Sequence, residues 1–200
     1  MIDADILLYL SAAGDLAAER DLLARAVAEI PVSLGWRIVQ SPLRHEPLDP
    51  AALAGADVHL LLVAGDIRAP IGLEWDIARR AGRQPLPFLK QGIPRTPAAQ
   101  AFVSRIAGLA AWRPFSTDAD LKRSVLKLLA DTILARVPEL GLSLPELEHL
   151  QAWRDRLEVA SSDSGVELPG GAGESSIILS EKQIASSGGV LIRPPASWPR

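Results

Sequence analysis

Glu74 is the side chain whose type and setting point most directly to chemistry. It lies in IGLEWDIARRA, where Ile71, Glu74, Trp75, Ala78 and Ala81 recur at three- and four-residue spacings and so share one helical face. A carboxylate on an apolar face loses hydration, which raises its proton affinity and suits it to nucleophilic or charge-stabilising work. The plainer account is a first-turn acid that complements the helix dipole. Asp15 and Glu19 follow the first apolar run, and Asp66 follows the third. In a parallel sheet Asp15, Glu19 and Glu74 would converge on one cleft at the strands' carboxyl edge, where open α/β sheets hold ligands, and Asp66 could reach it. Asp15 also reads as a helix N-cap, and Glu19 as the partner of Arg20, Arg68 or Arg79. Trp75, next to Glu74, would line the pocket or belong to the core.

The elements that must position these residues alternate. Ile6 to Leu10 reads as a buried strand running into the small-residue turn Ser11-Ala12-Ala13-Gly14, and Leu16, Leu23, Val27 and Ile30 mark a helix behind it. Trp36 to Gln40 is a second strand, followed by the proline-rich SPLRHEPLDP with His45 and Glu46 and a short helical turn over Pro50 to Ala54. Val58, Leu60, Leu61, Leu62 and Val63 form a nearly continuous apolar run, the signature of a strand covered on both faces. Leu86 to Lys90 is a fourth strand, for which Pro87 argues an edge position, and Leu109 to Trp112 a fifth, after a helix from Ala98 to Ala107. Thr117 caps an amphipathic helix through Ile133, and Ser143 with Glu146 makes a capping box for another, through Leu157. Short right-handed crossovers make this an α/β, flavodoxin-like three-layer sandwich with a mostly parallel five-stranded sheet, order 2-1-3-4-5.

The organisation expected is an α/β domain over 1–138, an appended or oligomer-forming helix over 139–160, and a tail over 161–200. Of those last forty residues nine are Ser, six Gly and four Pro, with a hairpin conceivable around Ser186-Ser187-Gly188-Gly189. A net charge of −3 offers little attraction to nucleic acid or anionic lipid, so neither is an expected partner. Without cysteine, thiolate chemistry and disulfides are excluded, which fits a cytoplasmic setting. His45, His59 and His149 are too dispersed for a metal helix, and no metal or cofactor is expected. His59 reads as packed within its strand. Ser11 lacks a G-x-S-x-G elbow, and Gly170-Gly171-Ala172-Gly173 lacks the Lys-Ser/Thr of a phosphate loop.

Two stretches carry a resemblance. SAAGDLAAERDLL after the first strand, and ADVHLLLVAG with GLEWDIARRAGRQPLPFLK later, resemble the TIR-like domains found ahead of bacterial signalling NTPases. Their relatives include TIR NAD hydrolases and nucleoside 2-deoxyribosyltransferases. The resemblance spans about residues 4 to 135 and implies a signalling or defence role. It also implies a homo-oligomer, a signalling NTPase as partner, and NAD or a nucleoside as substrate. In those relatives a glutamate on the corresponding helix acts at the anomeric carbon of an N-riboside, and Glu74 holds the matching position. Ser11, Asp15, Glu19, Asp66 and Trp75 are then the implied substrate contacts, with Glu19 or Asp66 holding ribose hydroxyls. A non-catalytic nucleotide- or protein-binding module is the other reading.

Overall fold

The computed structural model describes residues 5–42, 46–67 and 70–162. Five parallel strands, β1 (Asp5–Ala12), β2 (Gly35–Gln40), β3 (Val58–Val63), β4 (Leu86–Lys90) and β5 (Arg113–Phe115), form one sheet in the order β2-β1-β3-β4-β5. The expected α/β flavodoxin-like architecture is thus observed. Its helices are α1 (Ala17–Ala26), α2 (Pro50–Gly55), α3 (Ile71–Arg80), α4 (Pro97–Ala107), α5 (Asp118–Ala135), α6 (Val137–Leu140) and α7 (Leu144–Ser162). Among the described residues no helix is long and apolar enough to cross a membrane.

Strand alternation sorts the core into two layers. Leu8, Leu10, Ala12, Leu60, Leu62 and Phe88 point to the face covered by α1 and α5. Tyr9, Leu61 and Val63 point to the opposite face, under α2, α3 and α4. The central strand β3 is buried at all six positions, which fits its nearly continuous apolar run. Side chains cap the starts of three of the crossover helices. Asp49 accepts from the Ala52 amide at the start of α2, Thr96 from Ala99 at α4, and Thr117 and Asp120 form a reciprocal capping box at α5.

Helix α7 packs against α5, with Leu150 fully buried and Trp153 and Leu157 against the same core. Its start is fixed by Glu146, which accepts from the Ser143 amide and hydroxyl through one oxygen and from the Ser33 amide through the other. Lys127–Glu158 and Arg154–Asp131 ion pairs run along the α5–α7 seam.

Three expectations are corrected. Strand β4 is interior, between β3 and β5. Its Pro87 pairs with Leu61 on β3 and precedes the β4–β5 ladder, which begins at Phe88↔Arg113, so the missing N–H interrupts no pair with β5. The fifth strand is Arg113–Phe115 rather than Leu109 to Trp112. The apolar LAAW segment instead turns off α4, where the Leu109 and Ala110 amides bond the Ile106 carbonyl and Trp112 Nε1 donates to the Val103 carbonyl. Asp15 caps no helix through its side chain. The hairpin considered for the tail, like His45, lies outside the described residues.

Candidate functional site

Glu74 projects from the first turn of α3 onto the sheet face carrying Tyr9 and Leu61, and it is completely buried. Three hydroxyls surround its carboxylate. Tyr9 Oη donates to Oε1 at 3.0 Å and Ser41 Oγ to Oε2 at 2.9 Å. The Ser11 hydroxyl acts on the carboxyl group in the same direction as the other two, lowering its proton affinity. Ser41 sits just past β2, and its own oxygen accepts from the Ala12 amide at 3.2 Å, so the chain leaving β2 is stitched to β1 beside the carboxylate. On the far side, Ser11 Oγ lies 2.7 Å from His59 Nε2. The Tyr9 and His59 rings, opposite each other across the β1–β3 ladder, meet edge to face with centroids 5.2 Å apart.

Among the described residues this cluster contains no cation. Among the described residues Glu74 and His59 are bonded only to hydroxyls, and His59 Nδ1 has no partner. Burial pushes the Glu74 carboxyl above its ordinary range, outweighing the opposite pull of the Ser11, Ser41 and Tyr9 hydroxyls. Burial also pushes His59 down, to about 4, so the imidazole is neutral at physiological pH. Tyr9 is raised, first by burial and then by the charge and hydrogen bond of Glu74, and stays a phenol donor. The arrangement is a desolvated carboxyl group with a donor on each oxygen and a neutral imidazole one hydroxyl away.

The remaining sequence-derived candidates fall elsewhere. Glu19, 4% exposed on α1, is on the opposite face of the sheet from Glu74 and pairs with Lys90 at the end of β4, Nζ to Oε1 2.5 Å. The expected Arg20, Arg68 or Arg79 partner is replaced by a lysine brought by β4, and the cleft of three converging carboxylates does not form. Asp15 reaches across the carboxyl edge, where its Oδ2 accepts from the Gly65 and Asp66 amides at 3.0 and 3.2 Å. Asp66 Oδ1 in turn accepts from the Ile67 amide and the Thr96 hydroxyl, tying the β3 turn to the start of α4. Trp75 is 2% exposed and packs with Ile71, Leu89, Phe102 and Ile106, so it is a core residue. Of the five predicted substrate contacts, only Ser11 meets Glu74.

Tyr9, Ser41 and His59 complete the cluster and were missed as candidates. Tyr9 and Ser11 alternate on β1, which puts both on one face, and His59 interrupts an apolar strand on that same face. That signal was available. Ser41 carries none, because its place depends on the β1–β2 register. A groove of about 690 Å³ lies elsewhere, between the start of β5 and α5, lined by Arg113, Pro114, Lys127, Leu128 and Thr132 among others, and includes no cluster residue.

In comparisons with protein-family models, curated proteins and solved structures, nothing matches this chain.

Proposed function

We propose that this chain is a TIR-like signalling or defence module that acts at the N-glycosidic bond of a nucleotide or nucleoside, NAD being the first substrate to test. Glu74 is the carboxylate that attacks the anomeric carbon or steadies the cation formed there. The observation that carries this reading is a fully buried carboxyl group on the helix after the central strand, with hydroxyl donors on both oxygens and no cation among the described residues. Desolvation makes such a carboxylate more reactive than one in water, and Tyr9, Ser11 and Ser41 hold it in one orientation. Ser41, at the end of β2, and Ser11, at the end of β1, are the members nearest the strands' carboxyl edge, the side from which ligands enter such sheets.

The second reading, a non-catalytic nucleotide- or protein-binding module of a signalling assembly with an NTPase as partner, is favoured by the enclosure itself. Tyr9, Ser11 and Glu74 have no exposed surface, and Ser41 has 6%. Purified protein incubated with NAD and with deoxynucleosides, dilute and at concentrations that promote self-association, separates the two. The catalytic reading expects free base from wild type and none from Glu74→Gln at equal stability. Absence of base from wild type at every concentration would overturn it in favour of the module.

A further inference from the structure

The two edges of the sheet are built differently. Along a strand the N–H and C=O of one residue point to the same side, and those of the next residue to the other. At the β5 edge the Gln91 amide bonds the Phe115 carbonyl, so Phe115 and Arg113 face β4 and Pro114 faces outward. Pro114 is the one outward-facing residue of this three-residue strand, and it has no N–H to offer. At the opposite edge the Ser41 amide bonds the Leu10 carbonyl, so Val39, Arg37 and Gly35 face β1, while Trp36, Ile38 and Gln40 turn their N–H and C=O groups away from it. The β1–β2 register runs unbroken from Asp5↔Gly35 to Leu10↔Gln40, with no bulge and no proline to spoil a further pairing. Among the described residues no strand pairs with this side of β2.

We propose that the open edge of β2 is a self-association surface, on which β2 of a second copy lies antiparallel about a two-fold axis through Ile38. A second copy is the occupant the edge itself specifies, because its row of alternating donors and acceptors complements itself when reversed. With the axis at Ile38 that residue faces its own counterpart and Trp36 faces the partner's Gln40, so all three outward residues form hydrogen-bonded pairs with two bonds each. An axis at Arg37 would leave Gln40 outside the ladder and set two exposed guanidinium groups opposite one another, and an axis at Val39 would leave out Trp36. In the Ile38 register Arg37 stands opposite the partner's Val39 instead. The Trp36 and Ile38 side chains pack on the core beneath α1 and α5, so an apolar row continues from one copy to the other. Two-fold pairing closes on itself, and the outward proline of β5 guards the other end of the sheet, so the product is a dimer and not a fibre. With six strand residues a side, against the ~20–30 of stable complexes, it forms and dissociates with concentration. Ser41, next after Gln40, holds Glu74 Oε2 and the Ala12 amide, so the paired edge ends beside the buried carboxyl group. The inference rests on backbone geometry and stands whatever Glu74 does.

The test is amide hydrogen exchange of the full chain, resolved by residue with NMR at about 50 µM and about 1 mM, beside sedimentation velocity over the same range. On concentration the Trp36, Ile38 and Gln40 amides slow several-fold, while those of Arg37 and Val39, which face β1 in either state, do not change. The chain has no cysteine, so the register can be checked by crosslinking. Arg37→Cys combined with Val39→Cys puts thiols in opposed pairs about 4.5 Å apart between Cα atoms, within disulfide reach, and oxidation yields a covalent dimer; Arg37→Cys alone yields little. A monomer at every concentration overturns the proposal and leaves the edge to an extended segment of another protein. A dimer whose alternate β2 amides ignore concentration uses a different surface and overturns it equally, and Arg37→Cys crosslinking alone as fast as the double variant refutes the register. Should the double variant fail to fold, the wild-type exchange pattern decides.

Discussion

Acid should unfold this protein through His59, and the cost can be worked from its burial. The imidazole is 2% exposed, and its proton affinity falls from the ordinary value of 6.5 to about 4. Between those values the unfolded chain binds a proton that the native state does not, so stability falls as pH drops below the ordinary value and the loss is complete below about 4. The difference amounts to about 3 kcal/mol, a large share of the ~5–15 kcal/mol that holds a typical domain together. Glu74 acts in the opposite sense. Its carboxyl is raised in the folded state, so its contribution is fully present below the ordinary carboxyl value and is lost as pH rises through the folded one. Wild type alone therefore shows a partly cancelled slope. His59→Gln isolates the imidazole, because the amide nitrogen takes the place of Nε2 beside Ser11 and does not titrate. Urea unfolding midpoints of the two proteins, measured from about pH 7 down to about pH 4, should diverge until wild type has lost about 3 kcal/mol more than the variant. Equal losses in both proteins would refute the assignment of the acid sensitivity to His59.

Two further outcomes test the site and its surroundings. Tyr9→Phe removes the donor to Glu74 Oε1 and should cost about 1–3 kcal/mol, while raising the carboxyl further above its ordinary range; chemical denaturation read together with the Glu74 carboxyl titration checks both effects, and an unshifted titration would count against the bond. Lys90→Met leaves Glu19 buried without its cation; because Lys90 is 27% exposed, the loss should be about 2 kcal/mol rather than the full cost of a dry pair, with Lys90→Arg recovering most of it in a thermal melt.

How far the sequence specified this molecule is best seen residue by residue. The apolar run of β3 and the short crossovers were enough to give the sheet order, since few topologies satisfy both. Pro87 misled because its restriction concerns which hydrogen bond is lost, and that depends on where β5 begins. LAAW misled because apolar character alone does not separate a strand from a turn packed onto the preceding helix. At the site, the burial of Glu74 was legible from helical spacing, and Glu19 lies between Leu16 and Leu23 of the first helical stripe. Their separation was not legible, because it depends on which face each helix covers after the crossover. Strand alternation puts Tyr9 on the face shared with Ser11, but Ser41 joins the cluster through the register of β1 with β2, a long-range pairing that no local pattern encodes. Likewise α7, expected as an appendage, is drawn in by Leu150 and by a carboxylate that caps its own helix while holding the α1–β2 connection.

The placement of Glu19 and Glu74 on opposite faces divides the molecule into two electrostatic compartments separated by a wall of Leu and Val side chains. On one side a carboxylate is answered by an ammonium, and on the other, among the described residues, a carboxyl is answered by hydroxyls and a neutral ring. Groups that share no partners act independently, so the ion pair at the β4 end can be strengthened, reversed or deleted with its effects simply adding to those of changes around Glu74. Stability can thus be adjusted from one side of the sheet while the proton chemistry on the other is left alone.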